Sequence, residues 1–226
     1  MKIPAKSRTL PALAEKLVKE GYQTDFPYGG DINFTNMKSY LLGSGYQKLT
    51  ADVDFPLSQH QNAWGVNDDV TFDYLYNVLK ERKTGPWHTA FLTLSSHEPF
   101  EVPYHRLNEN IPNAFAFTDD CLGKFIDRMK QLPQWNDLLI ICLPDHGFYY
   151  PREGFAQSPR IHHIPMLWLG GAIKQPMVVD KLMNQTDLVA TLLGQLGMEH
   201  QEFNFSRNVL GKEYTYPFAY YTYNNG

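Results

Sequence analysis

The sequence has little of what marks a membrane span, a nucleic-acid-binding surface or a disulfide-bonded domain. Its 226 residues include only two cysteines, and its longest apolar runs are far shorter than the roughly 18 residues that can cross a membrane. The 20 Lys and Arg residues are outnumbered by 24 Asp and Glu residues, and the resulting net charge of −4 argues against nucleic acid as a partner. No run of basic residues suggests a patch for a membrane surface.

Several catalytic signatures are also missing from the sequence. It contains no G-x-x-x-x-G-K-[ST] phosphate-binding loop and no G-x-S-x-G nucleophile elbow, and "GGDINF" at 29–34 lacks the glycine spacing of a dinucleotide-binding fingerprint. Cys121 and Cys142 lie in apolar stretches, in the middle of a predicted helix and of a predicted strand. These positions argue against a cysteine nucleophile and leave the redox compartment undecided.

What the sequence does contain is typical of a folded α/β domain. Hydrophobic residues make up 43% and charged residues 19%, which excludes a disordered chain. Helical spacing of apolar residues alternates with short apolar runs, and this predicts a three-layer α/β/α sandwich with a largely parallel, mixed central sheet. Helices are predicted at 8–20, 34–43, 68–82, 111–132 and 185–196. Strands are predicted at 22–28, 45–49, 87–96, 137–144 and 163–171.

The same patterns predict which positions are buried. In the first helix the inner face is expected to contain Leu10, Leu13, Leu17 and Val18. In the third helix it is expected to contain Val70, Tyr74, Leu75 and Val78. The unbroken apolar character of 137–144 predicts a strand that is buried on both faces. Residues 213–226 alternate as a hairpin strand does.

Polar side chains follow several of the predicted strands, and ligands of open parallel α/β sheets bind beyond these carboxyl ends. The residues concerned are Gly29, Gly30 and Asp31, then His97 and Glu98, then Asp145 and His146, with Arg160, His162 and His163 just before the last strand. We expect the functional site among them.

The Asp145–His146 pair is a candidate metal site. Pro144 and Gly147 flank the pair as strand breakers, so the two side chains need not point to opposite faces. A carboxylate oxygen and a neutral imidazole can then bind one divalent cation at about 2.0–2.2 Å. Mn or Zn fits this ligand mixture best, and Mg also fits. The alternative is a solvated Asp-His-Gly turn.

The other histidines have two interpretations each. His97 can donate a hydrogen bond to an anionic oxygen or protonate a leaving group, or it can be a surface or capping residue before Pro99. Of His162 and His163, one is expected to face the site and the other solvent, and His163 is the better candidate for the site.

Six segments in a fixed order resemble the sulfatase-like branch of the alkaline phosphatase superfamily, especially the lipoteichoic acid synthase and phosphoglycerol transferase group. They are "GYQTDFPYGGDINFTNMKSYLLGSGYQKL", "WGVNDDVTFDYL", "HTAFLTLSSHEPF", "LLIICLPDHG", "HHIPMLWLGG" and "QTDLVATLLGQLG". The resemblance implies an alkaline-phosphatase-like α/β/α fold and a divalent cation. It also implies a Thr or Ser nucleophile, or formylglycine in true sulfatases, that attacks a phosphate or sulfate ester.

The resemblance assigns roles to particular residues. Asp145 and His146 match the family's Asp-His metal pair, His97 matches the histidine that contacts the substrate head group, and 28–37 matches a substrate-contacting segment. Lipoteichoic acid synthases carry His, Asp, Trp and Arg at positions that align with Tyr28, Gly30, Thr35 and Met37. These differences leave the glycerol-phosphate specificity open, and the resemblance implies a phosphoglycerol-type or related head group. Asp31 is a candidate replacement for the displaced carboxylate.

The resemblance also implies that part of the site lies upstream. Family members place the first acidic metal ligand and the nucleophile before the helix that matches 8–20. Residues 1–226 are therefore expected to be a single domain, the truncated C-terminal portion of a sulfatase-like catalytic domain. Alone it should be soluble, bind metal weakly and be inactive. The parent is expected to be a membrane-anchored extracytoplasmic enzyme, periplasmic or at the cell surface, acting on an anionic ester with a lipid or glycan head group. The alternative is a non-catalytic binding module with the same fold.

Overall fold

A computed structural model describes residues 9–82, 85–151, 155 and 157–222. The chain divides into two compact units, residues 1–133 and 134–226. Helices and strands alternate as the sequence predicts, and the model is a mixed α/β structure with a parallel sheet. That the chain forms one portion of a larger catalytic domain stays a prediction. None of the helices within the described residues has the length and apolar character to cross a membrane.

Among its described residues, the first unit contains the parallel sheet and four α-helices. Its helices are α1 (Leu13–Lys19), α2 (Met37–Gly43), α3 (Asp68–Lys80) and α4 (Asn110–Met129). Its strands are β1 (Gln23–Pro27), β2 (Lys48–Thr50), β3 (His60–Asn62), β4 (Gly65–Val66) and β5 (Trp87–Thr89). Short 3₁₀ turns cover Phe34–Asn36, Asp52–Asp54 and Leu57–Gln59.

Strand β1 lies at the centre of the first unit. It pairs in parallel with β2 and β5, with Asp25 opposite both Lys48 and Thr89. Strands β3 and β4 form a separate antiparallel pair, which a bridge between Gly30 and Gly65 joins to the chain just after β1. The carboxyl end of β1 and this antiparallel pair therefore lie side by side.

The core of the first unit differs in detail from the predicted helix faces. Leu17 is buried, but Leu10 precedes α1 and is 57% exposed. On α3 the buried face contains Asp68, Thr71, Phe72, Leu75 and Leu79. Val70, Tyr74 and Val78 are only half-buried, so the predicted face was wrong at these positions. The reason is that α3 turns Asp68 towards buried hydrogen-bond donors, and residues at helical spacing from Asp68 pack against α4.

In the described part of the second unit there are one antiparallel strand pair and one α-helix of nine residues. Its elements are β6 (Ile140–Cys142), a 3₁₀ turn (Pro159–His162), β7 (Leu167–Leu169) and α5 (Asp187–Gln195). Ile141 lies opposite Trp168. All three β6 residues are half-buried, so the predicted burial on both faces was wrong. Within the described part of the chain β6 pairs with β7 alone, so its other edge has no strand partner there.

The chain after α5 does not form the predicted strand. Gly197, with φ of +70°, follows the C-cap residue Leu196 and ends α5. Residues 213–222 contain no strand, and 223–226 lie outside the described residues. The Asn184 side chain instead donates to the Tyr220 carbonyl and accepts from the Tyr220 N–H group, so one side chain satisfies backbone groups that a neighbouring strand would otherwise pair.

Candidate metal centre and substrate site

Asp145 and His146 follow β6 after Leu143 and Pro144, and both side chains are exposed. The His146 Nε2 atom lies 3.6 Å from Asp145 Oδ2. The His146 backbone N–H group donates to Asp145 Oδ1 at 2.9 Å, which holds the carboxylate beside the imidazole. Because the strand has ended, these adjacent residues turn their side chains towards each other, as the flanking breakers predict.

The ring orientation of His146 suits a metal ligand. Its Nδ1 atom lies 2.8 Å from the Gly147 carbonyl oxygen, which can only accept, so Nδ1 carries the proton and Nε2 presents a lone pair. Metal-bound histidines are usually oriented by such a second hydrogen bond. Two atoms that each lie about 2.1 Å from one tetrahedral ion are about 3.4 Å apart. The observed 3.6 Å therefore fits two ligands of a single cation.

The described residues supply no more than this pair to the centre. No group of three or more His, Cys, Asp or Glu residues that could hold a metal occurs among them. His163 is exposed and ends the Pro159–His162 turn, whereas the His162 ring stacks on Tyr221 with centroids 4.0 Å apart. A role for His163 in the site stays a prediction.

Two contacts place the Asp145–His146 segment within the second unit. The Gln185 Nε2 group donates to the carbonyl oxygens of Pro144 at 2.8 Å and Asp145 at 2.9 Å. A Cβ atom at Gly147 would overlap the Ile161 carbonyl oxygen, so only glycine allows this close approach of the Pro159–His162 turn. The sequence pattern had identified Gly147 only as a strand breaker and gave no indication of Gln185.

An ion pair between the buried Asp187 and the half-buried Arg207 lies at the start of α5, two residues after Gln185. Asp187 is 1% exposed and accepts from Arg207 Nη2 at 2.6 Å, from Arg207 Nε at 3.1 Å and from the Asn184 N–H group at 2.9 Å. The hydrogen bond from Arg207 to Asp187 raises the pKa of the guanidinium further. A bidentate pair of this kind fixes both geometry and charge.

His97 belongs to the first unit and follows the predicted strand 87–96, of which only Trp87–Thr89 is regular. The imidazole is exposed, and its Nδ1 atom donates to the Glu98 carbonyl oxygen at 2.9 Å. The same oxygen accepts the indole N–H of Trp64 at 2.6 Å. The two rings lie edge to face with centroids 5.0 Å apart. This arrangement leaves His97 Nε2 to face a ligand.

Asp68 positions the segment that leads to His97. It is fully buried and accepts from the Leu94 N–H group at 2.8 Å, from Ser95 N–H at 3.2 Å and from the Thr118 hydroxyl at 2.6 Å. Burial raises the pKa of Asp68, and these hydrogen bonds lower it in part. The N-cap position of α3 belongs to Asn67, so Asp68 is the first residue of the helix.

Gly30 and Asp31 lie beside a cavity of about 330 Å³. Its lining consists of Tyr28, Asp31, Phe34, Asp52, His60, Asn62, Ala63, Trp64 and Gly65. A Cβ atom at Gly30 would lie 2.6 Å from the Tyr28 hydroxyl oxygen, so Gly30 allows the Tyr28 ring to fold over the backbone. Burial, followed by the charges of Asp31 and Asp52, raises the pKa of Tyr28. The cavity is therefore an electronegative space in the first unit.

Sequence comparisons identify relatives over most of the chain. The family model for sulfatases matches residues 2–198. Phosphoglycerol transferase I of Xanthomonas campestris pv. campestris is 23% identical over 220 residues, a match that covers 89% of this chain and 31% of that protein. The chain thus spans about a third of the length of this curated relative.

Solved structures share the fold. The chain matches an alkaline phosphatase superfamily protein from Vibrio parahaemolyticus with a TM-score of 0.77 at 28% identity, over 95% of this chain and 53% of that one. It also matches the lipoteichoic acid synthase LtaP from Listeria monocytogenes with a TM-score of 0.82 at 18% identity, over 96% of this chain and 62% of that one. A third match is the C-terminal periplasmic domain of EcEptC from Escherichia coli in complex with Zn. Its TM-score is 0.60 at 13% identity, and the match covers 91% of this chain and 67% of that one.

These similarities confirm the predicted alkaline-phosphatase-like α/β fold and the resemblance on which it was based. The sulfatase match extends from the first residues through α5 and includes both the His97 segment and the Asp145–His146 pair. The chain belongs to the sulfatase family, in the part of the alkaline phosphatase superfamily that includes the phosphoglycerol transferases and lipoteichoic acid synthases.

Proposed function

We propose that the chain is part of a divalent-metal-dependent enzyme that cleaves or transfers a phosphate or sulfate ester. The observation that carries this proposal is the 3.6 Å separation between His146 Nε2 and Asp145 Oδ2, with the Nδ1 proton held by Gly147. A solvated turn would not require the imidazole lone pair and the carboxylate to converge. The name of the Xanthomonas relative, a phosphoglycerol transferase, supports a phosphate ester over a sulfate ester.

Asp145 and His146 would hold the cation. One carboxylate oxygen and one imidazole nitrogen favour Zn or Mn over Mg, and the zinc complex of EcEptC supports zinc. When bound, such a cation polarises the ester oxygen and lowers the pKa of the attacking hydroxyl. The hydrogen bond from Gln185 to the Asp145 carbonyl keeps the ligand segment in place during this chemistry.

His97 would contact the ester itself. Its Nδ1 proton is donated to the Glu98 carbonyl oxygen, so only the imidazolium form of His97 carries a second proton, on Nε2, that can be donated to an ester oxygen or a leaving group. The Trp64 ring packs against the imidazole and restricts its rotation. His97 is thus proposed as a catalytic residue, with Asp68 as the positioning residue that holds its loop.

The nucleophile and the remaining acidic ligand are proposed to lie in a part of the enzyme outside this chain. The match to only 31% of the Xanthomonas relative is compatible with this. We further propose a membrane-anchored parent whose catalytic domain is extracytoplasmic, because the matching domain of EcEptC is periplasmic. The chain alone should then bind metal weakly and turn over no ester.

Calorimetric titration of the chain with Zn²⁺ and Mn²⁺ tests the metal site. We expect weak binding of one ion, reduced by more than about tenfold in Asp145→Ala/His146→Ala, because both proposed ligands are lost. The matched control, His105→Ala/Asp137→Ala, removes an exposed His and an exposed Asp elsewhere and should bind as the wild type does. Equal binding by the wild type and the Asp145→Ala/His146→Ala protein would contradict the proposal.

The reaction itself is tested in the gene product that contains the chain. Hydrolysis of bis(p-nitrophenyl) phosphate and of p-nitrophenyl sulfate distinguishes the two ester classes. We expect phosphodiester turnover that is abolished in Asp145→Ala and lowered by about 10²–10⁴-fold in His97→Ala. Turnover that survives Asp145→Ala and His146→Ala would show that this pair is not the metal centre.

A further inference from the structure

The residues that line the cavity of the first unit favour a positively charged ligand. Three aromatic rings, from Tyr28, Phe34 and Trp64, and two carboxylates, from Asp31 and Asp52, form most of its wall. Neither Lys nor Arg occurs among the described residues that line it. Its volume of about 330 Å³ is near the lower end for ligand pockets, which suits a group of only a few heavy atoms.

The field in this cavity is unfavourable for a phosphate. The charges of Asp31 and Asp52 both act on the Tyr28 hydroxyl, so their field is felt across the cavity. The Nε2 proton of His60 is donated to the Asp52 carbonyl oxygen at 3.0 Å, so this proton is not available to an anionic ligand. An anionic group would lose its hydration without gaining a cationic partner, whereas a cation would meet two carboxylates.

The aromatic wall is fixed in place. The Trp64 indole N–H donates to Glu98, its backbone N–H donates to Asn62 Oδ1 at 2.8 Å, and its ring meets Phe34 edge to face at 5.6 Å. The two residues that follow Phe34 in sequence, Thr35 and Asn36, both have positive φ. A rigid indole face beside carboxylates is a good site for an alkylammonium group.

We propose that this cavity is the subsite for an alkylammonium head group of the substrate. The inference deepens the proposed function and rests on it for the identity of the ester, because Trp64 joins the cavity to His97. The ammonium group would lie among Trp64, Asp31 and Asp52, and the ester would lie on the side of His97. Glycerol phosphate, with its negative charge, would not enter the cavity.

Binding of choline to the chain tests this subsite without any turnover. The neutral control ligand is 3,3-dimethyl-1-butanol, which has the same shape, and the anionic one is sn-glycerol 1-phosphate. The readout is the indole N–H resonance of Trp64, assigned as the signal that Trp64→Phe removes. We expect choline to shift this resonance and to bind about tenfold more tightly than its neutral analogue.

Asp52→Asn keeps the side-chain shape and should remove most of the preference for choline. Asp69→Asn is the matched control, because both carboxylates accept the N–H group of the following residue and Asp69 is exposed outside the cavity. Equal affinities for choline and 3,3-dimethyl-1-butanol, or tighter binding of sn-glycerol 1-phosphate, would overturn the inference.

The two proposals can fail separately. If the chain binds choline but shows no metal binding in the titration, the proposed metal centre alone is refuted. Metal binding without choline binding would refute this subsite alone.

Discussion

The side-chain amide of Gln185 donates to the backbone carbonyl of Asp145 across 40 positions of sequence, at 2.9 Å, and to that of Pro144 at 2.8 Å. Gln185 stands two residues before Asp187, whose buried ion pair with Arg207 fixes the start of α5. A residue just before the start of α5 therefore hydrogen-bonds the backbone of the Asp145–His146 segment. We therefore propose Gln185 as a positioning residue for the proposed metal centre.

Replacement of Gln185 by Met should weaken metal binding. The substitution keeps the length of the side chain and removes both hydrogen bonds to the segment, so the Asp145 carboxylate is less well oriented. Loss of such an outer contact commonly costs about 10–100-fold in metal affinity. The calorimetric titration with Zn²⁺ measures the effect.

Gln195→Met is the control for this change, since Gln195 is exposed at the last residue of α5. A circular dichroism melt verifies that both variants are folded. Undiminished affinity in Gln185→Met would show that Asp145 is oriented without this contact.

Asp68→Asn should destabilise the first unit. The buried carboxylate accepts three hydrogen bonds, and an amide has one oxygen to accept them and presents an NH₂ group to donors. We expect a loss of about 2–4 kcal/mol in the free energy of unfolding. Urea denaturation gives this value, and hydrogen exchange at the Leu94 and Ser95 amides localises it.

The control for Asp68→Asn is the adjacent Asp69→Asn, which changes an exposed carboxylate in the same helix turn. Because the Asp68 hydrogen bonds lead to the His97 loop, we also expect faster exchange at the His97 amide. Unchanged stability and exchange in Asp68→Asn would mean that the amide replaces the carboxylate fully.

The sequence predicted what depends on local spacing. Residues at helical intervals located α1–α5 to within a few positions, and the end of an apolar run located Asp145 and His146 beyond β6. The exception is the inner face of α3, where the partner of Asp68 is a backbone segment 26 residues away. Apolar periodicity carries no information about a buried polar contact of this kind.

Long-range side-chain contacts account for the other omissions. Gln185 looks like any polar residue near a helix start, and only the folded chain shows that it holds Asp145. Residues 213–222 alternate as a strand does, yet Asn184 binds the backbone of Tyr220. The cavity was equally hidden, because its two carboxylates and three rings come from both sides of β2 and from the β3–β4 region.

Both cysteines should be inert towards alkylation in the folded chain. Burial, followed by the charges of Asp68 and Asp69, raises the pKa of Cys121 to about 12, and burial also raises the pKa of Cys142. Since the thiolate is the reactive form, iodoacetamide at pH 8 should label neither residue in buffer and both in urea. Mass spectrometry counts the labels, and Cys142→Ser isolates Cys121. Rapid labelling of the folded Cys142→Ser protein would contradict the burial of Cys121.

His88 should make the first unit sensitive to acid. Burial lowers the pKa of His88, partly offset by the charge of Asp25, and its Nε2 atom lies 3.3 Å from the Tyr46 hydroxyl. Between the unfolded pKa of about 6.5 and the lower folded pKa the unfolded state binds more protons. The stability contributed by neutral His88 is therefore present above about pH 6.5 and is lost as the pH falls through the folded pKa.

Urea denaturation at pH 7.5 and at pH 5 tests this effect. Between these pH values the free energy of unfolding should decrease less in His88→Gln than in the wild type. The exposed-site variant His105→Gln should match the wild type, and equal decreases in all three proteins would exclude His88 as a source of the acid sensitivity.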